Sequence, residues 1–192
     1  MCPRIGLNLY TILQAATEVA DEDGLESLTI TTLANKLTIK PPSLYNHVKG
    51  LQDLKNKLAL YGMQQLYKEL NLATEGIAHG EKAIKKLAIS YINFARNHPG
   101  LYEATLAAPD LSNIELQTEA NKIVELTLEC LSSYHFEHGQ ALHIVRGLRS
   151  VIHGFASLEQ KGGFGLPFDI NISLELLIDT YLAGIRSLAN TK

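Results

Sequence analysis

The sequence predicts an all-α fold of about nine helices, with a small N-terminal three-helix helix-turn-helix domain followed by a larger helical domain. Three observations lead there. Apolar residues recur at spacings of three and four along nearly the whole chain, no two-residue alternation persists long enough for a sheet, and glycine and proline cut the chain into helix-sized pieces. The chain has 192 residues, 46% hydrophobic and 19% charged, enough for a folded core and for one small plus one medium domain.

The first helix is expected over residues 8–23, where Ile12, Leu13, Ala16, Val19 and Ala20 form one stripe and Gly24 suits a left-handed stop. A short second helix follows at 30–37 with Thr29 as its N-cap, then a third at 42–47 and a long fourth at 51–72. After Gly76 and Gly80, a fifth fits 81–97, ended by His98-Pro99-Gly100. A sixth fits 101–107, stopped at Pro109, a seventh 111–134 and an eighth 139–161. Residues 162–167, rich in glycine, form a loop before a ninth helix at 171–189. The domain division is placed at 1–54 and 55–192.

The net charge of −3 conceals an asymmetry. Residues 31–68 hold six lysines (36, 40, 49, 55, 57, 68) against Asp53, whereas residues 1–30 hold Arg4 against five acids. A basic zone on an acidic body binds phosphate without making the whole surface adhesive. It also reads as a solvated lysine face, and charge alone does not choose. No stretch approaches the ~20 apolar residues that cross a bilayer. The N-terminus lacks a secretion signal, so a cytoplasmic protein without membrane association is expected. Cys2 and Cys130 make neither a disulfide framework nor a zinc site, and Cys130 falls in an apolar pattern as a small core residue.

The segment 29–48 carries the chemistry. Two helices of about two turns are too short to stand alone, and Leu33, Ala34, Leu37, Ile39, Leu44 and Val48 supply the surface that packs them on the first helix. Thr38-Ile39-Lys40 has the length of a helix-turn-helix connection. With Pro41 as cap and Pro42 the first helical residue, Ser43, Asn46 and His47 share the face opposite Leu44 and Val48. These short polar side chains suit a major groove: Asn46 for adenine, Pro42 for a thymine methyl, Lys40 for guanine or a phosphate. Thr31, Thr32, Tyr45, His47, Lys49 and Lys55 are placed for backbone oxygens. The same pattern fits a three-helix core whose polar face only meets water.

Residues 24–54, and Leu44-Tyr45-Asn46-His47-Val48-Lys49 above all, resemble the DNA-binding domain of the tetracycline-repressor (TetR) family. The shared pattern is Ala15-Ala16, a glycine, Leu28-Thr29, Leu33-Ala34 and the Leu-Tyr-x-His-Val segment. Three positions depart from it. Thr31 stands where a basic residue is frequent, Thr38 where the turn commonly has glycine, and Leu51 where the fourth helix commonly begins with lysine. Further on, His98-Pro99-Gly100-Leu101-Tyr102 and Ile152-His153-Gly154-Phe155 resemble a C-terminal subtype named for Trp-His-Gly, with Ile152 in place of tryptophan. The resemblance implies a repressor that binds double-stranded operator DNA as a homodimer through its last two helices and is released by a small-molecule effector.

The C-terminal part supports that expectation only in outline. Leu142, Val145, Leu148, Ile152 and Phe155 on the eighth helix, and Leu174, Leu177, Ile178, Tyr181, Leu182, Ile185 and Leu188 on the ninth, form stripes that suit either an internal core or a second copy. Tyr91, Phe94, Tyr102, His143, Arg146, Arg149 and His153 mix aromatic and polar groups as effector cavities do. His135, His138, His143 and His153 match no strong zinc spacing, and no metal or cofactor is expected. Neither Gly-x-Ser-x-Gly nor His-Glu-x-x-His occurs, the glycine loop lacks Gly-Lys-Ser/Thr, and an enzyme is not expected. The competing reading is a helical small-molecule-binding protein that has lost specific DNA binding.

Overall fold

A computed structural model describes residues 7–106 and 113–190, and among these no strand occurs. Eight α-helices follow in order: α1 (Leu9–Asp23), α2 (Ile30–Lys36), α3 (Leu51–Thr74), α4 (Glu81–Asn97), α5 (Pro99–Leu106), α6 (Ile114–Leu131), α7 (His138–Gln160) and α8 (Ile170–Asn190). Three 3₁₀ turns punctuate them, at Leu25–Ser27, Pro41–Asn46 and Ser132–Tyr134.

Helix starts follow side-chain chemistry. Asn8 caps α1 and Thr29 caps α2, each by a reciprocal pair of hydrogen bonds with a threonine three residues on. The α1 stop differs from expectation. Gly24 has a positive φ of 85°, but its ψ of 153° lies far from the left-handed helical well, because the chain turns directly into the 3₁₀ turn Leu25–Ser27. The α5 helix starts two residues earlier than expected, since Pro99 loses nothing at a first helical position and Asp21 accepts hydrogen bonds from the next two N–H groups. The expected end of α5 at 107 and start of α6 at 111 lie outside the described residues. At its other end α6 stops at Leu131, three residues short, where the 3₁₀ turn Ser132–Tyr134 leads to His135 in the left-handed region.

The expected third helix is a 3₁₀ turn over Pro41–Asn46, and the capping assignment shifts by one. Lys40, with φ −86° and ψ 142°, is the N-cap, and both prolines are helical. Neither proline breaks a bond there, because the first N–H groups of a helix have no intrahelical partner.

The residues divide into two packing units, one gathering Met1–Gln65 with Asn97–Gln117 and the other Leu66–Arg96 with Thr118–Lys192. In the first, Ile12, Ala16, Leu28, Leu33, Ala34, Leu44, Leu54 and Leu58 are almost fully buried, so α1, α2, the 3₁₀ turn and the start of α3 share one core. The second is built on Leu66, Leu70, Ile84, Ile92 and Phe94, with Cys130 buried and its thiol pushed up to about 11 by desolvation. The Arg96 guanidinium ties this unit together, meeting Glu159 at 2.8–3.0 Å and Asn171 at 3.0 Å.

Thr38, a β-branched residue, sits at φ 54° in the turn between α2 and the 3₁₀ turn. Left-handed backbone costs such a residue roughly 1–2 kcal/mol. Thr38→Gly is therefore expected to stabilise the protein by roughly 1 kcal/mol after glycine's own entropic cost. A urea unfolding midpoint at or below that of the wild type would contradict the strained geometry.

Candidate nucleic-acid interface

Leu44, fully buried, and Val48, 2% exposed, pin the turn Pro41–Asn46 to its scaffold. Its outward side is open. Lys40, Pro41, Pro42, Tyr45, Asn46 and Lys49 are exposed, Tyr45 by 57%, and Ser43 is half-buried. The tighter winding changes which residues stand together. At three residues per turn, Pro42 lies in line with Tyr45 and Ser43 in line with Asn46. The face expected from α-helical spacing, Ser43 with Asn46 and His47, is thus replaced by Ser43 with Asn46 beside Pro42 with Tyr45. His47 has left the helix, with φ −120°, and is half-buried.

The two threonines of α2 also separate. Thr31 is exposed, whereas the Thr32 hydroxyl is engaged within the chain, donating to the Ser27 carbonyl at 2.9 Å and accepting from the Thr29 N–H at 2.8 Å. At the other end Asp53 fixes Lys49. Its carboxylate accepts from the Lys49 N–H at 2.8 Å and from Lys57 Nζ at 3.0 Å. Burial opposes ionisation of Asp53, but these two partners outweigh it and hold the carboxyl below its ordinary range.

Pairing pares down the basic zone. Lys36 lies 3.2 Å from Glu18 and 3.0 Å from Glu22, Lys57 pairs with Asp53, and Lys55 comes within 3.8 Å of Glu26. Lys68 belongs to the other packing unit. Among the described residues, Lys40 and Lys49 make no ion pair, and they bracket the turn Pro41–Asn46. Counting lysines missed this, although the spacing of Glu18, Glu22 and Glu26 was visible in the chain.

The residues read as an effector site differ in their exposure. Tyr91 and Phe94 are buried on α4 in the second unit, and Tyr102 is fully buried on α5 in the first. His143, Arg146 and Arg149 form an exposed row on α7, and His153 is half-buried. The reason is the helix period: α7 buries Ala141, Ile144, Val145, Leu148, Ile152, Phe155 and Ala156, and the row lies off that arc. An apolar groove of about 370 Å³ runs along α7 and α8, lined by Ile144, Val151, Leu177, Tyr181, Gly184 and Leu188 among others. A smaller hollow of about 210 Å³ at the start of α7 holds His135 and His138 beside Phe136. Among the described residues no trio of histidine, cysteine or acid is grouped to hold a metal, and no helix is long and apolar enough to cross a membrane.

Residues 84–181 match the family described as "Tetracyclin repressor-like, C-terminal domain". The chain is 37% identical to the HTH-type transcriptional regulator YobS of Bacillus subtilis (strain 168), over 96% of each chain. It is 31% identical to the class D tetracycline repressor protein of Escherichia coli, over 71% of this chain and 57% of that one. In structure it resembles a variant of TetR from Acinetobacter baumannii AYE in complex with minocycline, with a TM-score of 0.73 and 20% identity, covering 96% of this chain and 99% of the other.

Proposed function

Because the chain belongs to the tetracycline-repressor (TetR) family of helix-turn-helix transcriptional regulators, we propose that it represses transcription, binding a pseudo-palindromic operator as a homodimer and leaving it when a small-molecule effector binds. The family is one of regulators, not of enzymes. DNA binding is assigned to residues 1–54, effector binding and dimerisation to residues 55–192.

The observation that carries the reading is the uncovered polar side of the turn Pro41–Asn46 on a core held by Leu44. Among the described residues none buries Tyr45 or Asn46, and both side chains are exposed. Asn46 can bridge the N6 and N7 of adenine, Pro42 meets a thymine methyl, Ser43 stands beside them, and Lys40, Lys49 and Tyr45 reach flanking phosphates. Thr31 joins the phosphate contacts, with Thr32 contributing through the cap it forms. A two-fold dimer then presents two such turns about 34–36 Å apart, or a multiple of it, in successive major grooves.

The second copy is assigned to the last two helices. On α8, Leu174, Ile178, Leu182 and Ile185 are consumed by the chain's own core, while Leu177 lines the groove beside it and Leu188 remains 48% exposed. The stripe is thus wider than one core needs, and the groove between α7 and α8 continues it. For the effector, Tyr91 and Phe94 are the interior candidates, with Tyr102 in the other unit. His143, Arg146, Arg149 and His153 would act only from the α7 side. The minocycline in the Acinetobacter TetR structure supports a small organic effector as the class. Release then follows from an effector's preference for one of two dimer geometries.

The test is selection of a duplex by the protein from a random library, followed by binding of variants. Asn46→Ala is expected to lose about 1–3 kcal/mol of discrimination at one base position and to keep its non-specific affinity. Tyr45→Ala should weaken binding to all duplexes alike. Enrichment of no inverted repeat would favour a ligand-binding protein without operator recognition.

A further inference from the structure

Glu18, Glu22 and Glu26 stand at intervals of four along α1 and the turn that follows it. They meet lysines, but in two different ways. Glu22 hydrogen-bonds Lys36 at 3.0 Å, with Glu18 beside it, and the two carboxylates raise the Lys36 pKa. Glu26 approaches Lys55 Nζ only to 3.8 Å, too far for a hydrogen bond, and its side chain is 93% exposed, so no packing holds it there. Such a pair is weak and exchanges readily.

Lys55 stands in the first turns of α3, after the turn Pro41–Asn46. The other carboxylate of that stretch, Asp53, is engaged with the Lys49 N–H and with Lys57. Glu26 is therefore the acid that meets Lys55 and competes with phosphate for it.

Building on the DNA-binding reading above, we infer that Glu26 is a specificity-determining residue that occupies Lys55 until close docking on the operator puts a phosphate in its place. On non-specific DNA the protein rides in a looser register. Lys55 there stays on Glu26 and releases no counterion, and Lys40 and Lys49 carry the contact. On the operator, the seated turn brings a phosphate to Lys55, and the carboxylate swings away into solvent. The exchange suppresses non-specific affinity more than specific affinity. It widens the ratio that counts against a genome of competing sites.

Glu26→Gln keeps the shape of an exposed side chain and removes only its charge. Binding of wild type and variant is measured against KCl on two duplexes: one enriched by the wild-type protein from a random library, and a shuffled duplex of equal length. The expected result is confined to the shuffled duplex, where the salt slope steepens by about 0.9 per subunit and low-salt affinity rises several-fold. The slope on the enriched duplex stays unchanged. Lys55→Gln in the wild-type background should flatten the slope on the enriched duplex alone. Equal changes on both duplexes, or none on either, would overturn the inference. A wild-type protein that enriches no duplex would defeat the DNA-binding reading instead.

Discussion

Gly100→Ala is expected to cost about 3 kcal/mol or more, enough to remove much of a typical domain's stability. A Cβ built on Gly100 would run into the backbone carbonyl of Ala20, near the end of α1, with the Asp21 nitrogen also too close. Neither side can yield. Ala20 is 1% exposed, and α5 is anchored by Leu101 and Tyr102 at 2% and 0%. The approach is locked by Asp21, whose Oδ1 accepts from the Gly100 and Leu101 N–H groups at 2.9 Å each, while Oδ2 meets His98 Nδ1 at 3.0 Å. Asp21 is thus an N-cap supplied from a different helix, and removing it as Asp21→Ala should cost roughly 1–2 kcal/mol. Asp21→Asn keeps the accepting oxygen and should lose much less. Urea unfolding of the three variants checks the order. A Gly100→Ala protein within 1 kcal/mol of wild type would mean that α1 and α5 do not approach as described.

The same junction shows where sequence reading stops. Helices with long apolar stripes are legible: the pattern predicts α4 over 81–97 and the helix occupies Glu81–Asn97, and Thr29 is the cap its position predicts. The periodicity of such segments is local and repeated, so it survives without knowledge of neighbours. What escaped depends on residues far apart in the chain. The early start of α5 needs Asp21, some eighty residues upstream, and nothing near Pro99 announces it. The 3₁₀ winding of Pro41–Asn46 likewise escaped, because six residues with two prolines at their head do not carry enough periods to separate three residues per turn from 3.6. That difference moved Tyr45 onto the open face and drew His47 partly in. In the C-terminal part, mixed polar and aromatic composition could not tell an inward residue from an outward one. Tyr91 and Phe94 proved interior, whereas His143, Arg146 and Arg149 face outward.

Gly184→Glu is expected to leave the single chain folded and to abolish tight operator binding. Gly184 lines the groove along α7 and α8, and a Cβ there meets nothing within 4 Å. The monomer therefore has room for the side chain, and replacing a mid-helix glycine raises helix propensity. A second copy docked on this groove would have to bury the carboxylate among Ile144, Val151, Leu177 and Leu188 with no cationic partner in the lining. An unpaired charge in such surroundings costs several kcal/mol, which exceeds what a modest apolar interface can offset. Loss of the dimer removes the gain from joining two half-site contacts, a factor of about 10²–10⁴ in affinity. Light scattering should report a monomer with wild-type helicity. Binding to the selected duplex should fall at least 100-fold, and binding to a half-site should persist at its low intrinsic level. Gly184→Ala, which adds only a methyl group, should remain dimeric or weaken the dimer slightly. A fully dimeric Gly184→Glu protein would move the interface off this face of α8. The exposed Leu188 would then need another partner.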